Sequence, residues 1–256
     1  KKIAAALSDA VKGQPAAQPA TMPEGYQLIS DIRKTKGKDW FADGEAWNGA
    51  LTASKDFMVD AKGVRPVLPG WLHSGLLSRK FQGTLRSPTF TISENFIHLL
   101  TSGADVRMNV VVDNFKIIRN PIYGGLSRHI KNEKPHWVTI NLGMWKGHDC
   151  YVEIADLSNG DPGGKGSSPD AYGAVQQLWL TANNRPPAVP LPKLPEAIKL
   201  AEGEATRHFS EYNKLAGSVP RPVVVPVMLE GSGRNEKLFV RGNHKNLGAE
   251  VPRKYL

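Results

Sequence analysis

Between Asp39 and Trp179 the chain runs in short β-type segments, each closed by a turn-forming cluster, and this alternation constrains the fold more than any other feature. Ser87-Pro-Thr-Phe-Thr-Ile92, Asn109-Val-Val-Val-Asp-Asn-Phe115 and Trp145-Lys-Gly-His-Asp-Cys-Tyr-Val-Glu-Ile154 show the pattern. Extended runs are expected at Tyr26–Ile32, Pro88–Ser93, Phe96–Ser102, Asn109–Ile118, His136–Leu142, Cys150–Leu157 and Ala174–Ala182. Each is rich in β-branched or aromatic residues and is bounded by Gly, Pro, Asn or Asp. Seven such runs suffice for two packed sheets, so the expected fold is mainly β, a jelly-roll type β-sandwich.

Within Tyr151-Val-Glu-Ile-Ala-Asp156 apolar and acidic residues alternate. Strand geometry then puts Val152 and Ile154 on one side and Glu153 on the other, which should be wet or ligand-facing. The Gly-rich stretch Asn159–Ser168 has almost nothing to bury and is expected to be an exposed hairpin loop.

The sandwich is expected to occupy residues 24–183. Residues 1–23 read as the end of a helix (Lys1–Val11) followed by a Pro/Ala-rich linker, and the abrupt start without Met suggests a segment of a longer protein. Residues 184–256 read as a Pro-rich linker, an amphipathic helix and an extended tail leading to a further domain. The helix is expected over Leu194–Gly217, where Ala197, Leu200, Ala201, Ala205, Phe209 and Tyr212 recur at helical spacing. The tail offers short runs at Arg221–Leu229 and Leu238–Gly242, which proline confines to sheet edges.

A net charge of +9 favours an acidic partner: nucleic acid, an anionic membrane surface or an acidic polysaccharide. The densest basic run, Arg33-Lys-Thr-Lys-Gly-Lys38, lacks the interleaved aromatics of a nucleic-acid platform, so nucleic acid is not expected. No run reaches the roughly 18 apolar residues of a membrane span. The single Cys150 excludes an internal disulfide, a Cys-x-x-Cys metal site and a Cys-x-x-Cys-His haem attachment within these residues.

Gly160-Asp-Pro-Gly-Gly-Lys-Gly166 has the wrong spacing for a phosphate-binding loop and no Ser or Thr after its Lys. Asp156-Leu-Ser-Asn-Gly-Asp161 crowds oxygen donors into a short loop, making Asp156 and Asp161 candidate calcium ligands, against the plainer reading of an Asx turn. His129, His136 and His148 are irregularly spaced and no nucleophile elbow accompanies them, so no catalytic residue is expected. Six tryptophans are many for a core of this size. Asp39-Trp-Phe-Ala-Asp-Gly-Glu-Ala-Trp47 combines indoles, on which sugar rings stack, with side chains able to bond hydroxyls.

Four phrases resemble a known family: Gly83–Phe90, Val111–Phe115 with Ile122–Leu126, Trp145–His148 with Tyr151–Asp156, and Phe239–Arg253. The family is that of planctomycete-type secreted multidomain cytochrome c proteins, which carry a haem domain, two conserved domains of unknown function and an inserted sandwich similar to galactose-binding and lectin-like modules. The resemblance implies a central segment, with the haem motif outside it, the flanking domains of the parent protein as partners, and a periplasmic or extracellular location. It also implies recognition of polysaccharide, for which the charge favours acidic or sulfated chains. By analogy with such modules the ligand-binding candidates are Trp40, Asp43, Trp47, Arg86 and Asp113, although Asp113 and Asn114 also read as a turn or bulge. The expectation is a non-catalytic carbohydrate-binding or docking module. A structural inter-domain module is the alternative, and a glycoside hydrolase-like enzyme using Glu153 and Asp156 the third reading.

Overall fold

A computed structural model describes residues 24–60, 63–116, 118–156, 171–196, 204–220, 235–243 and 245–252. Residues 24–220 belong to one compact unit and residues 235–252 to a second.

In the first unit, strands β1 (Tyr26–Asp31), β5 (Leu72–His73), β8 (Phe96–Ala104), β11 (His136–Asn141) and β13 (Tyr172–Thr181) form one antiparallel sheet in the order β1-β13-β8-β11, with β5 also on β13. Strands β2 (Phe41–Asp43), β6 (Gly83–Arg86), β7 (Phe90–Thr91), β9 (Val106–Val112), β10 (Ser127–Ile130) and β12 (Asp149–Asp156) form the other, ordered β10-β9-β12-β6-β2, with β7 also on β12. Taken in chain order, β1, β6, β8, β9, β10, β11, β12 and β13 are divided between the sheets in the sequence of a jelly roll, two Greek keys folded over one core. The protein is mainly β. A small hairpin of β3 (Phe57–Asp60) and β4 (Gly63–Pro66) stands apart from both sheets.

The strand alternation explains the core. Ile97 and Leu99 of β8, with Val175, Leu178 and Leu180 of β13, face Met108, Val110 and Val112 of β9 and Cys150, Val152 and Ile154 of β12. Trp40, Trp47 and Trp145 close the edges of this layer. On the far side of the first sheet, Leu68 and Trp71 lie over Leu100 and Ala174 in a smaller cluster with Trp137. Five of the six tryptophans are therefore buried, and Trp137 is half-buried.

Several expectations meet the structure closely, among them β1, β8, β11, β12 and β13. Pro88–Ser93 contributes only the two residues of β7, because Pro88 has no N–H for a ladder. β9 begins at Val106 and ends at Val112, where Asp113 and Asn114 turn the chain with φ of 48° and 60°. The stretch after Asp156 follows β12 and precedes β13, which lie in opposite sheets. Its residues 157–170, like the expected elements at Lys1–Val11 and Arg221–Leu229, lie outside the described residues.

Helix α1 (Ile32–Thr35) is one turn, capped by Asp31. Helix α2 (Glu204–Ser218) begins inside the expected helical stretch and ends one residue beyond it; residues 194–196 are not helical, and residues 197–203 lie outside the described part. The Lys80 ammonium donates to the carbonyls of Ala216, Gly217 and Val219, the C-terminal groups that a helix leaves unpaired. No helix among the described residues is long and apolar enough to cross a membrane. In the second unit, β14 (Glu236–Phe239) and β15 (Leu247–Val251) pair antiparallel, Glu236 opposite Val251 and Phe239 opposite Leu247.

Candidate functional site

Because side chains alternate across a strand, sending Val110, Val152 and Leu85 into the core turns their neighbours outward. Register then aligns Ser127, Asn109, Glu153, Arg86 and Phe41 in one row across β10, β9, β12, β6 and β2. The adjacent row reads His129, Arg107, Ala155, Thr84 and Asp43. A polar band thus runs across the outer face of this sheet, ending at a phenyl ring that is 50% exposed.

Glu153 is the centre of the band. Only 1% exposed, it accepts from Lys116 Nζ at 2.7 Å and from Asn109 Nδ2 at 3.3 Å. Arg86 Nε lies 3.5 Å and Arg119 Nη2 3.6 Å from its oxygens. Ser127 Oγ donates to Asn109 Oδ1 at 2.6 Å, which fixes the amide so that its NH₂ group points to Glu153. Lys116 and Arg119 come from the segment after the Asp113 turn, which folds back over the sheet. Glu153 does face away from Val152 and Ile154, as the alternation requires, but the cations cover it.

Three cations around one carboxylate leave this patch positive. Arg86 links its parts: its Cζ lies 5.8 Å from the ring centroids of both Phe41 and Tyr151. Burial, then the negative charge of Glu153, raise the Tyr151 phenol above its ordinary range. Among the described residues, the Nε atoms of Arg86 and Arg119 and the Thr84 hydroxyl find no hydrogen-bond partner. All three atoms are shut off from water.

Asp113 belongs to a different arrangement. Its carboxylate bonds His148 Nδ1 at 2.6 Å and the Asp149 amide at 3.2 Å, while its own amide donates to the Asp149 carbonyl at 2.8 Å. The His148 ring packs edge-on to Trp145, 5.9 Å between centroids, and Trp145 edge-on to Tyr123 at 5.2 Å. Asp113 is here the turn residue that ties the end of β9 to the start of β12.

Of the sequence candidates, the structure brings Asp43 and Arg86 onto the polar face. Trp40 and Trp47 are core residues, 8% and 3% exposed. The Trp40 indole donates to Ser30 Oγ at 2.9 Å, and Ser30 in turn to Asp39. The Trp47 ring is held where β2 meets β6, a junction so close that a Cβ on Gly83 would collide with the Asp43 carbonyl. Neither indole offers a face to a sugar ring, and Phe41, the residue next to Trp40, is the exposed aromatic instead. Asp156 is fully buried, one oxygen accepting from Ser74 Oγ at 2.5 Å and the other without a partner among the described residues, and burial pushes its carboxyl up to about 7. Calcium requires several oxygen donors. Asp161 lies outside the described residues, and no cluster of three acidic or metal-binding side chains occurs among those described.

Lys116, Arg119, Asn109 and Phe41 escape sequence reasoning, because only strand register shows that they converge. No family model and no curated protein matches the chain. Similar solved structures include a family two carbohydrate esterase from Cellvibrio japonicus, 13% identical with a TM-score of 0.28, the match covering 69% of this chain and 36% of that one. This chain thus spans about a third of the esterase's length. Others are a variant of the family 29 carbohydrate-binding module CBM29-2 (7%, TM-score 0.31, covering 64% and 99%) and TmCBM61 in complex with β-1,4-galactotriose (10%, TM-score 0.27, covering 62% and 99%). Likenesses this distant carry no argument about this chain, and its fold rests on its own strand order.

Proposed function

We propose that the chain is a non-catalytic carbohydrate-binding module of a larger exported protein and that it takes polysaccharide on the outer face of the β10-β9-β12-β6-β2 sheet. The observation that carries this reading is the row from Ser127 to Phe41, in which an exposed ring stands beside guanidinium groups anchored by the buried Glu153. A sugar ring stacks its C–H face on Phe41, and Arg86 and Lys116 bond its hydroxyl or acidic groups. The excess of cations favours uronate-bearing or sulfated chains. Glu153 serves as the anchor of the cations rather than as an acid or base, since its oxygens are taken up by Lys116 and Asn109.

Affinity electrophoresis in gels of neutral, uronate-rich and sulfated polysaccharide, each at two salt concentrations, tests the reading. Retention by an acidic polysaccharide that survives high salt and is lost in Phe41→Ala supports it. Retention that disappears with salt would reduce the effect to bulk charge. No retention in any gel would favour a structural module packed against flanking domains.

A further inference from the structure

A cavity of about 670 Å³ lies on the same unit but away from the polar sheet face, between β3, the turn through residues 75–80 and the last two turns of α2. That volume is within the range of small-molecule sites. Its walls include Phe57, Leu77 and Tyr212, which are 44%, 63% and 49% exposed. Exposed apolar side chains gathered around one concavity leave a surface that gains by being covered.

The charges at the cavity are unevenly committed. Arg65 Nη1 donates to Glu133 Oε2 at 2.7 Å, so the one carboxylate lining the cavity is already engaged. Lys80 is spent on the carbonyls that end α2. Arg79 remains. Its Cζ stands 4.6 Å over the ring of Tyr172, a residue only 1% exposed and stacked on its own account against His73 at 4.8 Å. Arg79 Nε and Nη2 are both shut off from water and have no hydrogen-bond partner among the described residues. These two atoms share one edge of the guanidinium, the edge that forms paired bonds to the two oxygens of a carboxylate. Arg79 also lines the cavity, so a turn of the guanidinium off the Tyr172 ring would present that edge to an acceptor admitted there.

We propose that this cavity is a second ligand site, that it takes a small ring-bearing carboxylate, and that Arg79 holds the carboxylate while Phe57 and Tyr212 hold the ring. Two sources share this chemistry, a uronic acid sugar and an aromatic acid. The site is independent of the polysaccharide face and does not rest on that reading.

Titration of the full chain with sodium glucuronate, sodium benzoate, sodium sulfate and glucose, followed by calorimetry or amide chemical shifts, tests the proposal. Glucuronate or benzoate should bind at millimolar concentration or better, and whichever binds more tightly identifies the source. Arg79→Lys, which keeps the charge but loses the paired edge, should weaken that binding at least tenfold, and Tyr212→Ala, on an exposed helix face, should weaken it several-fold. Lys34→Ala, an exposed charge outside both the cavity and the sheet face, should leave it unchanged. The proposal is overturned if neither carboxylate binds better than glucose, if sulfate binds as tightly as both, or if Arg79→Lys, with its thermal midpoint unchanged, binds as the parent does.

Discussion

Glu153 sits directly opposite Arg86 in the β12–β6 register, with Arg86 Nε 3.5 Å from its Oε2, and opposite Asn109 on the other flank. The carboxylate is buried and nearly surrounded by donors, so Arg86, Lys116 and Arg119 depend on it for their positions. Taking one partner out of a buried ionic cluster leaves the others uncompensated, a change that costs about 3–5 kcal/mol in a fully buried pair. Lys116 is half-exposed, and solvent screens its share. Glu153→Gln is therefore expected to lower stability by roughly 2–3 kcal/mol in urea denaturation. A loss under about 0.5 kcal/mol, the scale of an ordinary surface change, would mean that Glu153 does not organise the face.

Neighbouring aromatic residues should separate binding from folding. Phe41→Ala removes a ring that is half in solvent, so polysaccharide retention should fall with the thermal midpoint nearly unchanged. Trp40→Ala opens a core cavity and removes the indole donor to Ser30 Oγ, a loss of about 3–5 kcal/mol, and any change in retention should follow from unfolding. Comparing retention with the folded fraction by circular dichroism decides the matter. Normal folding of Trp40→Ala with weakened retention would return the site to the indole.

How much of this was legible in the sequence depends on which interactions decide each feature. The β-sandwich was, because β8, β12 and β13 are long, β-branched and bounded by turn residues, and their local preference agrees with their place in the sheets. β6 and β10 were not: Gly83-Thr-Leu-Arg86 and Ser127-Arg-His-Ile130 carry little β signal and are strands because β12 and β9 supply the partner edge. Register decided the site as well. Arg86 and Asp43 do lie on the polar sheet face, but the choice of Trp40 and Trp47 over Phe41 rested on residue type, whereas burial was set by which face of β2 meets the core.

Cys150 offers a direct check on the inner layer of β12. Its side chain points between the sheets, and burial followed by the nearby charges of Asp149 and Asp113 raises the thiol well above its ordinary range. The thiolate is the reactive form, so the native protein should react with a thiol reagent at pH 8 at least tenfold more slowly than the urea-unfolded chain. Equal rates would place Cys150 at the surface and shift the register of β12 by one residue.

Asp156 and His73 should oppose each other in the pH dependence of stability. Burial raises Asp156 from 3.8 to about 7, so between these values the unfolded chain has released a proton that the folded chain keeps, and stability falls as pH rises. Above pH 7 that penalty is complete and constant. His73 behaves in the opposite sense. Burial, reinforced by the charge of Arg79, lowers it from 6.5 to about 3, so across that interval the unfolded chain holds the extra proton and stability rises with pH. In the parent protein the two slopes largely cancel between about pH 4 and 6.5, although the groups are joined through Ser74, which bonds Asp156 and follows His73 in the chain. Asp156→Asn removes one of them. Relative to the parent, this variant should be more stable at pH 8 by up to about 4 kcal/mol, at 1.36 kcal/mol per unit, and the advantage should shrink steadily as pH is lowered toward 4. Urea midpoints measured from pH 4 to 8 give the difference directly. An advantage that does not change with pH would show that Asp156 is ionised throughout and that the Ser74 hydrogen bond outweighs burial.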